Sequence, residues 1–350
     1  MIPTTLGILL VVFAVFHAVP GDPALMAVGH GVSDEADVEA RAVAYRREHG
    51  LDRSLTVQFF NYLGPFNLLE DGHEWFSSPD ESGERLANSG EQPWGGLLVL
   101  DFGREAGSNR SVASELGQRL QITLPLSVAA VLIAYLLALP LGVFSARKRG
   151  TRIDTVSTVA LFALYSVPSF WVGLLLIYVF GATGPDWWPR LPVLGLHDRD
   201  ADELGALAYG WDALLHAILP IATMTYGSFA YLSRQMRAGM LEVLPQDFVL
   251  TARAKGASER DVLYKHAFRN AVLPVVTIFA TVLPALVSGS IIVEQVFQIE
   301  GMGKYVFDGL SGRDFNVVMA TTVLVGVMTQ VGILVSDVLY TLVDPRIRHA

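Results

Sequence analysis

The sequence predicts an all-helical protein that crosses a membrane several times, and three observations carry that prediction. The chain of 350 residues is 52% hydrophobic with a mean hydropathy of +0.42, and only 17% of it is charged, where soluble domains run near about 25%. Its apolar residues gather into six runs: Ile2 to Val19, Ile122 to Phe144, Val156 to Phe180, Leu214 to Leu232, Ala271 to Val296 and Val317 to Val343. A helix needs roughly 20 apolar residues to cross the hydrocarbon layer, where every backbone amide must be paired internally. Its basic residues, finally, sit on alternate connections. The link after the second run reads Ser145-Ala-Arg-Lys-Arg-Gly-Thr-Arg152, and the link after the fourth holds Arg234, Arg237, Arg253, Lys255, Arg260, Lys265 and Arg269. The tail ends Asp344-Pro-Arg-Ile-Arg348. Short loops rich in Lys and Arg stay in the cytoplasm, so six spans with both termini cytoplasmic satisfy every loop.

The first run reads as a retained helix and not a cleaved signal peptide. It lacks a basic stretch before it, and Pro20-Gly-Asp-Pro23 is a poor cleavage site. The same lack of a basic residue before Ile2 suggests that a few residues precede Met1. The expected organisation is therefore a first span over 1–20, an extracytoplasmic segment over 21–115 and a helical core over 116–350. The segment from Gly21 to Glu115 has helical spacing from Asp34 to His49 and breaks at Gly50. Its centre, Glu70 to Gly96, is rich in Asp, Glu, Ser, Gly and Asn and reads as an irregular acidic insertion around Trp75 and Trp94.

The cytoplasmic loop 233–270 carries the most specific pattern. It reads Pro245-Gln-Asp-Phe-Val-Leu-Thr-Ala-Arg-Ala-Lys-Gly256, then Ala257-Ser-Glu-Arg-Asp-Val-Leu-Tyr-Lys-His-Ala-Phe-Arg-Asn-Ala-Val-Leu-Pro274. Pro245 and Asp247 suit a helix start, and Gly256 suits the left-handed residue that ends one. Ser258 and Asp261 resemble a capping box that opens the next helix. Two turns of helix are marginal alone in water, so this one needs a partner surface. Ala252 and Gly256 stand four apart and share a face of little bulk with Phe248. That face fits a groove in another protein; Arg253 and Lys255 equally fit an amphipathic helix resting among lipid headgroups.

At these residues the chain resembles the inner-membrane permeases of binding-protein-dependent ABC importers, specifically the B-type subunit of dipeptide and oligopeptide systems. In that family a Glu-Ala-Ala string, three residues and a Gly form the helix that couples to the ATPase. Ala252 and Gly256 match the last Ala and the Gly, while Leu250 and Thr251 stand where Glu and Ala would be. The resemblance assigns ATPase coupling to Asp247, Phe248, Thr251, Ala252, Arg253, Ala254, Lys255, Gly256, His266, Arg269 and Asn270. It extends through Pro20-Gly-Asp-Pro23, His49-Gly-Leu-Asp52, Asp101-Phe-Gly103, Glu300-Gly-Met-Gly303, Arg313-Asp-Phe315 and Asp344-Pro-Arg-Ile-Arg348. Gly64 to Leu98 has no counterpart. The resemblance implies the six-helix permease fold of type I ABC importers, in the plasma (inner) membrane. It also implies a C-type permease partner, two ATP-binding subunits and an extracytoplasmic solute-binding protein, with membrane lipid around and no nucleic acid.

The residues exclude much else. There is no cysteine, and no Gly-x4-Gly-Lys-Ser/Thr loop, His-Glu-x-x-His or Gly-x-Ser-x-Gly string, so ATP is expected on another chain and no catalytic, cofactor or metal site is expected on this one. The rival reading, a secondary transporter driven by an ion gradient, needs inverted repeats and linked ionisable groups at mid-membrane. His17, His216, Glu294 and Asp337 form no linked set and read as helix-to-helix hydrogen bonders. Pro125, Pro140, Pro168, Pro220, Pro274 and Pro284 permit kinks, and Gly173, Gly227, Gly289 and Gly326 permit close helix contacts. The orientation is directly testable. A cysteine introduced at Ser89 should react with an impermeant thiol reagent in intact cells or spheroplasts; labelling only after lysis inverts the topology.

Overall fold

The computed structural model describes residues 2–18, 22, 24–25, 35–48, 51–64, 97, 100–106, 108, 110–181, 184, 187–198 and 200–343. The 64–98 insertion with Trp75 and Trp94, apart from Gly64 and Leu97, and the basic tail after Val343 lie outside the described residues. Every described element is helical. They are α1 Ile2–Ala18, α2 Glu35–Glu48, α3 Leu55–Leu63, α4 Val112–Arg147, α5 Arg152–Ser166, α6 Ser169–Phe180, α7 Ala206–Val243 and α8 Asp247–Ala254. There follow α9 Glu259–Asp261, a π-wound turn Val262–Ala267, α10 Phe268–Ala271, α11 Leu273–Phe279, α12 Val282–Ser288, α13 Ile291–Val296, α14 Met302–Ser311 and α15 Phe315–Val343.

Among the described residues four helical runs are long and apolar enough to cross a membrane: Val112–Arg147, Ala206–Val243, Leu273–Val296 and Phe315–Leu342. The first predicted run forms α1, which at 17 residues is shorter. The third is not one straight helix, as expected from its apolar run; it breaks into α5 and α6, which meet at 95°. Pro168 is the cause. It caps α6 and forces Val167 into extended backbone with ψ 129°. The carbonyls freed at the break accept from one side chain: the Tyr226 hydroxyl donates to Val167 O at 2.9 Å and also contacts Leu164 O. Pro125, Pro140 and Pro220 by contrast lie inside continuous helices.

The chain packs as two units, which group residues differently from the division at 20/21 and 115/116. The first comprises Met1–Leu120 with Tyr305–Val327. Its core joins Leu9 and Phe13 of α1, Tyr62 and Leu63 of α3, Leu97, and Met319 and Val323 of α15. Phe315 sits edge-on to the rings of Phe13, Phe16 and Tyr62 at centroid distances of 5.9, 5.1 and 5.1 Å, an arrangement the ring quadrupoles favour. Asp314 and Asn316 flank it and hold the 104–106 stretch: Ala106 N donates to Asp314 Oδ2 at 2.7 Å, and Asn316 Nδ2 donates to Arg104 O at 2.8 Å. His17 meets Gln58 Oε1 at 3.1 Å, the helix-to-helix bond its place predicts.

The second unit comprises Gln121–Lys304 with Met328–Ala350. Its helices approach through glycines. A Cβ on Gly142 of α4 would stand 2.6 Å from Met236 Cβ of α7, and one on Gly239 of α7 would stand 2.3 Å from Ala271 O. Gly173 has ordinary-to-tight neighbours at 3.3 Å, whereas Gly227, expected at a helix contact, faces open space. Two buried carboxylates lock the unit. Glu294 accepts from Thr123 Oγ1 at 3.1 Å and from Lys304 N at 2.9 Å, and Thr123 Oγ1 in turn accepts from Met302 N at 2.8 Å. Gly289 and Gly301 leave the room this carboxylate needs, since a Cβ on either would lie within 2.3 and 2.7 Å of it. The string Glu300-Gly-Met-Gly303 is thus a close-fitting strap over Glu294.

Asp154 is the second carboxylate. Arg237 of α7 grips both its oxygens, Nε to Oδ1 and Nη2 to Oδ2, each at 2.9 Å. Ser145 Oγ of α4 and Gly150 N complete the shell at 3.0 and 3.1 Å. A bidentate pair of this kind is strong because both donors are fixed in one plane. Removing the acid leaves a guanidinium with three-quarters of its side chain buried and no carboxylate to meet its charge, only the Ser145 hydroxyl at 3.2 Å. Asp154→Ala should therefore lower stability by about 2 to 3 kcal/mol, read as a drop in the unfolding midpoint in detergent, and the swap Asp154→Arg with Arg237→Asp should recover part of it. An unchanged midpoint in Asp154→Ala removes the clamp from this role.

Candidate functional site

The loop between α7 and α11 grows out of the second unit's larger core. Met236, Met240 and Val243 of α7 pack with Ala134, Ala138, Val143 and Ala146 of α4, and Val249, Val262, Leu263 and Ala267 of the loop close over them. α8 is the two-turn helix that the sequence predicts, with Gln246 as its cap residue. Its end is a Schellman turn. Ala257 N donates to Ala252 O at 3.1 Å, Gly256 N donates to Arg253 O at 2.9 Å, and Gly256 takes φ +83°. Only a residue at ease with positive φ closes that turn without strain. The next helix opens as expected, with Ser258 Oγ accepting from Asp261 N at 3.2 Å and donating to Asp261 Oδ2 at 2.7 Å. Arg253 Nε reaches across to Glu259 Oε1 at 3.1 Å and ties the two.

The face of α8 that looks outward is not the one inferred from residue bulk. Ala252 is 8% exposed and lies with Val249 against the chain's own core. The outward side carries Asp247, Leu250, Thr251 and Ala254, with Arg253, Lys255 and Gly256 also exposed. A two-turn helix has two faces, and the small side chain was needed inside, where α8 approaches the π-wound turn. Phe248 at 38%, Leu250 at 49% and Tyr264 at 51% leave three large apolar side chains on one loop. Sequence reasoning found Phe248 and missed Leu250 and Tyr264. The signal available for Leu250 was its place three residues after Asp247, on the polar side of the helix.

His266 belongs to the π-wound turn and Arg269 and Asn270 to α10, so these three stand on the helical run leading to α11 and not on α8. His266 and Asn270 are half-buried and Arg269 is exposed. A π turn widens the helix by one residue per turn and often marks a functional position. Sequence reasoning also passed over Asp154 and Arg237, which anchor α5 to α7 beneath the loop. Asp154 is the lone acid after a basic stretch, which was its available signal.

Comparison with known proteins gives the class to which this arrangement belongs. Residues 138–349 match the family described as the binding-protein-dependent transport system inner membrane component, and residues 2–73 match the N-terminal component of the same systems. The oligopeptide transport system permease protein AppB of Bacillus subtilis (strain 168) is 34% identical over 349 residues, covering 99% of this chain and 96% of that one. The di/tripeptide transport system permease protein DppB of Pseudomonas aeruginosa (strain UCBPP-PA14) is 36% identical over 363 aligned positions, covering 100% and 96%. The inward-facing MetNI methionine ABC transporter aligns over 66% of this chain and 96% of its own with a TM-score of 0.49 and 18% identity. On the extent of the first match and the identity of the full-length relatives, the chain belongs to the inner membrane components of binding-protein-dependent transport systems, as a permease subunit.

Proposed function

We propose that this chain is one of two permease subunits of an ATP-driven importer of peptides, held in the plasma membrane with both termini in the cytoplasm. The observation that carries the reading is similarity along essentially the whole chain to permeases named for oligopeptides and di/tripeptides. The partners are a C-type permease, two ATP-binding subunits that bind and hydrolyse the nucleotide, and an extracytoplasmic solute-binding protein. This chain itself holds no cofactor.

In this reading α8 is the element that seats on an ATP-binding subunit. Its exposed apolar side chains support that role: Leu250 and Phe248 have no core of their own to enter, and an apolar cluster on a cytoplasmic loop marks a contact surface. Arg253 and Lys255 rim the cluster. A cavity of about 330 Å³ in the second unit supports a peptide as cargo. Its largely apolar wall includes Ser169, Ser228 and Gly227, and no charged residue lines it. A wall without charge does not select cargo by one side-chain charge.

The coupling role is tested on exposed positions, since Ala252 sits in the core and a bulky replacement there would disturb folding first. Leu250→Glu should leave the chain in the membrane while cutting co-purification of the ATP-binding subunit and peptide uptake by about tenfold or more. Gly256→Asn, which tolerates the left-handed conformation, should stay near wild type, and Gly256→Val should lose coupling. Full association and uptake in Leu250→Glu removes α8 from the interface. Uptake by the reconstituted complex should stop when the partner's ATP-binding lysine is replaced; uptake that persists there and collapses with an ionophore transfers the function to an ion gradient.

A further inference from the structure

At the other end of α7 from the coupling loop, four side chains of the second unit gather. His197 and Asp198 come from the stretch before α7, and Asp212 and His216 from its second and third turns. Asp212 and His216 stand four residues apart and so share one helix face. The His216 side chain is 2% exposed, that of Asp212 is 11% and that of Asp198 is 77%. His216 Nδ1 lies 3.0 Å from Asp212 O, its hydrogen-bond partner, so the N–H sits on Nδ1 and the ring lone pair falls on Nε2.

That lone pair faces a carboxylate. Nε2 stands 3.6 Å from Asp198 Oδ1, too far for a hydrogen bond and lone pair to lone pair in the neutral ring. A cation between them resolves the conflict. Two ligand atoms about 2.0 Å from a tetrahedral ion stand about 3.3 Å apart, close to the distance found. The ligand atoms of Asp198, Asp212 and His216 all lie within 4.8 Å of one another. The surroundings resemble the support that metal-bound groups require. The remote imidazole N–H has the Asp212 backbone oxygen to bind, and Asp212 Oδ2 is fixed by Asp198 N and by His197 Nδ1, both at 3.1 Å. His197 is itself stacked on Tyr209 with centroids 3.9 Å apart.

We propose that Asp198, Asp212 and His216 form a divalent-cation site that takes zinc, with water in the remaining position, and that the ion tethers the Asp198 stretch to the start of α7. One imidazole with two carboxylates suits zinc, whereas calcium and magnesium favour oxygen ligands throughout. The site is independent of peptide transport and of α8.

The test uses the purified full chain in detergent, stripped with a chelator and titrated with Zn²⁺ alone. One zinc per chain is expected. Asp198→Asn changes an exposed side chain outside any helix, so it leaves the fold intact, and it should weaken zinc binding at least tenfold; His216→Gln should abolish it. Zinc should also raise the unfolding midpoint of the wild type and not that of Asp198→Asn. Equal zinc binding, or an equal midpoint shift, in wild type and Asp198→Asn overturns the proposal.

Discussion

The salt bridge between Asp154 and Arg237 is the constraint on which the α8-bearing half of the second unit depends. It joins three helices at one point: Ser145 belongs to α4, Asp154 to the first turn of α5 and Arg237 to α7. α5 begins where it does because Thr151 accepts from Asp154 N at 3.4 Å, so the residue that anchors the helix also helps start it. Close contact between α4 and α7 is possible only because residue 142 has no side chain. The core beneath α8 forms between those two helices. Clamp, glycine contact and core together set where α8 stands.

The other half of the unit is organised by a different device. A carboxylate placed in an apolar core demands donors, and Glu294 receives them from a strap of backbone that only glycines allow to come so near. Tyr226 does comparable work at the break between α5 and α6, where a hydroxyl supplies the proton that a helix interrupted by Pro168 no longer provides. In each case one polar side chain compensates a fault in regular winding. This is how a helical membrane protein can be irregular without exposing bare amides to hydrocarbon.

Four of the six expected spans were legible because burial in lipid demands continuous apolar sequence, whatever the helices pack against. The ends of α8 and the opening of α9 were legible for a similarly local reason: Gly256 and the pair Ser258 and Asp261 act within one turn. The phase of α8 was not legible. Which side of it faces the protein depends on Val262 and Leu263, more than ten residues on, and Ala252 reads equally as a small outward face or as a close inner contact. Asp154 was hidden by its neighbours, because a single acid after several basic residues looks like loop solvation. The break at Pro168 was half legible: the proline announced a kink, while the 95° bend required knowledge of what α6 packs on. The joining of residues 305–327 to the first unit depends on Phe315 and Asp314 meeting partners some three hundred and two hundred positions earlier, and no local pattern carries that.

α7 runs unbroken for 38 residues and is gripped close to one extremity, at Arg237. If the helix tilts as one piece about that grip, it acts as a lever. From the grip to Ala206 is about 46 Å at 1.5 Å per residue, so a tilt of about 5° around Asp154 carries the far end through about 4 Å. A tilt of the whole helix about that point would move the turns at Asp212 and His216 several times farther than the turn at Met240. The short arm, Arg237 to Val243, leads into α8, and the long arm, back to Ala206, is part of a helix long and apolar enough to cross a membrane.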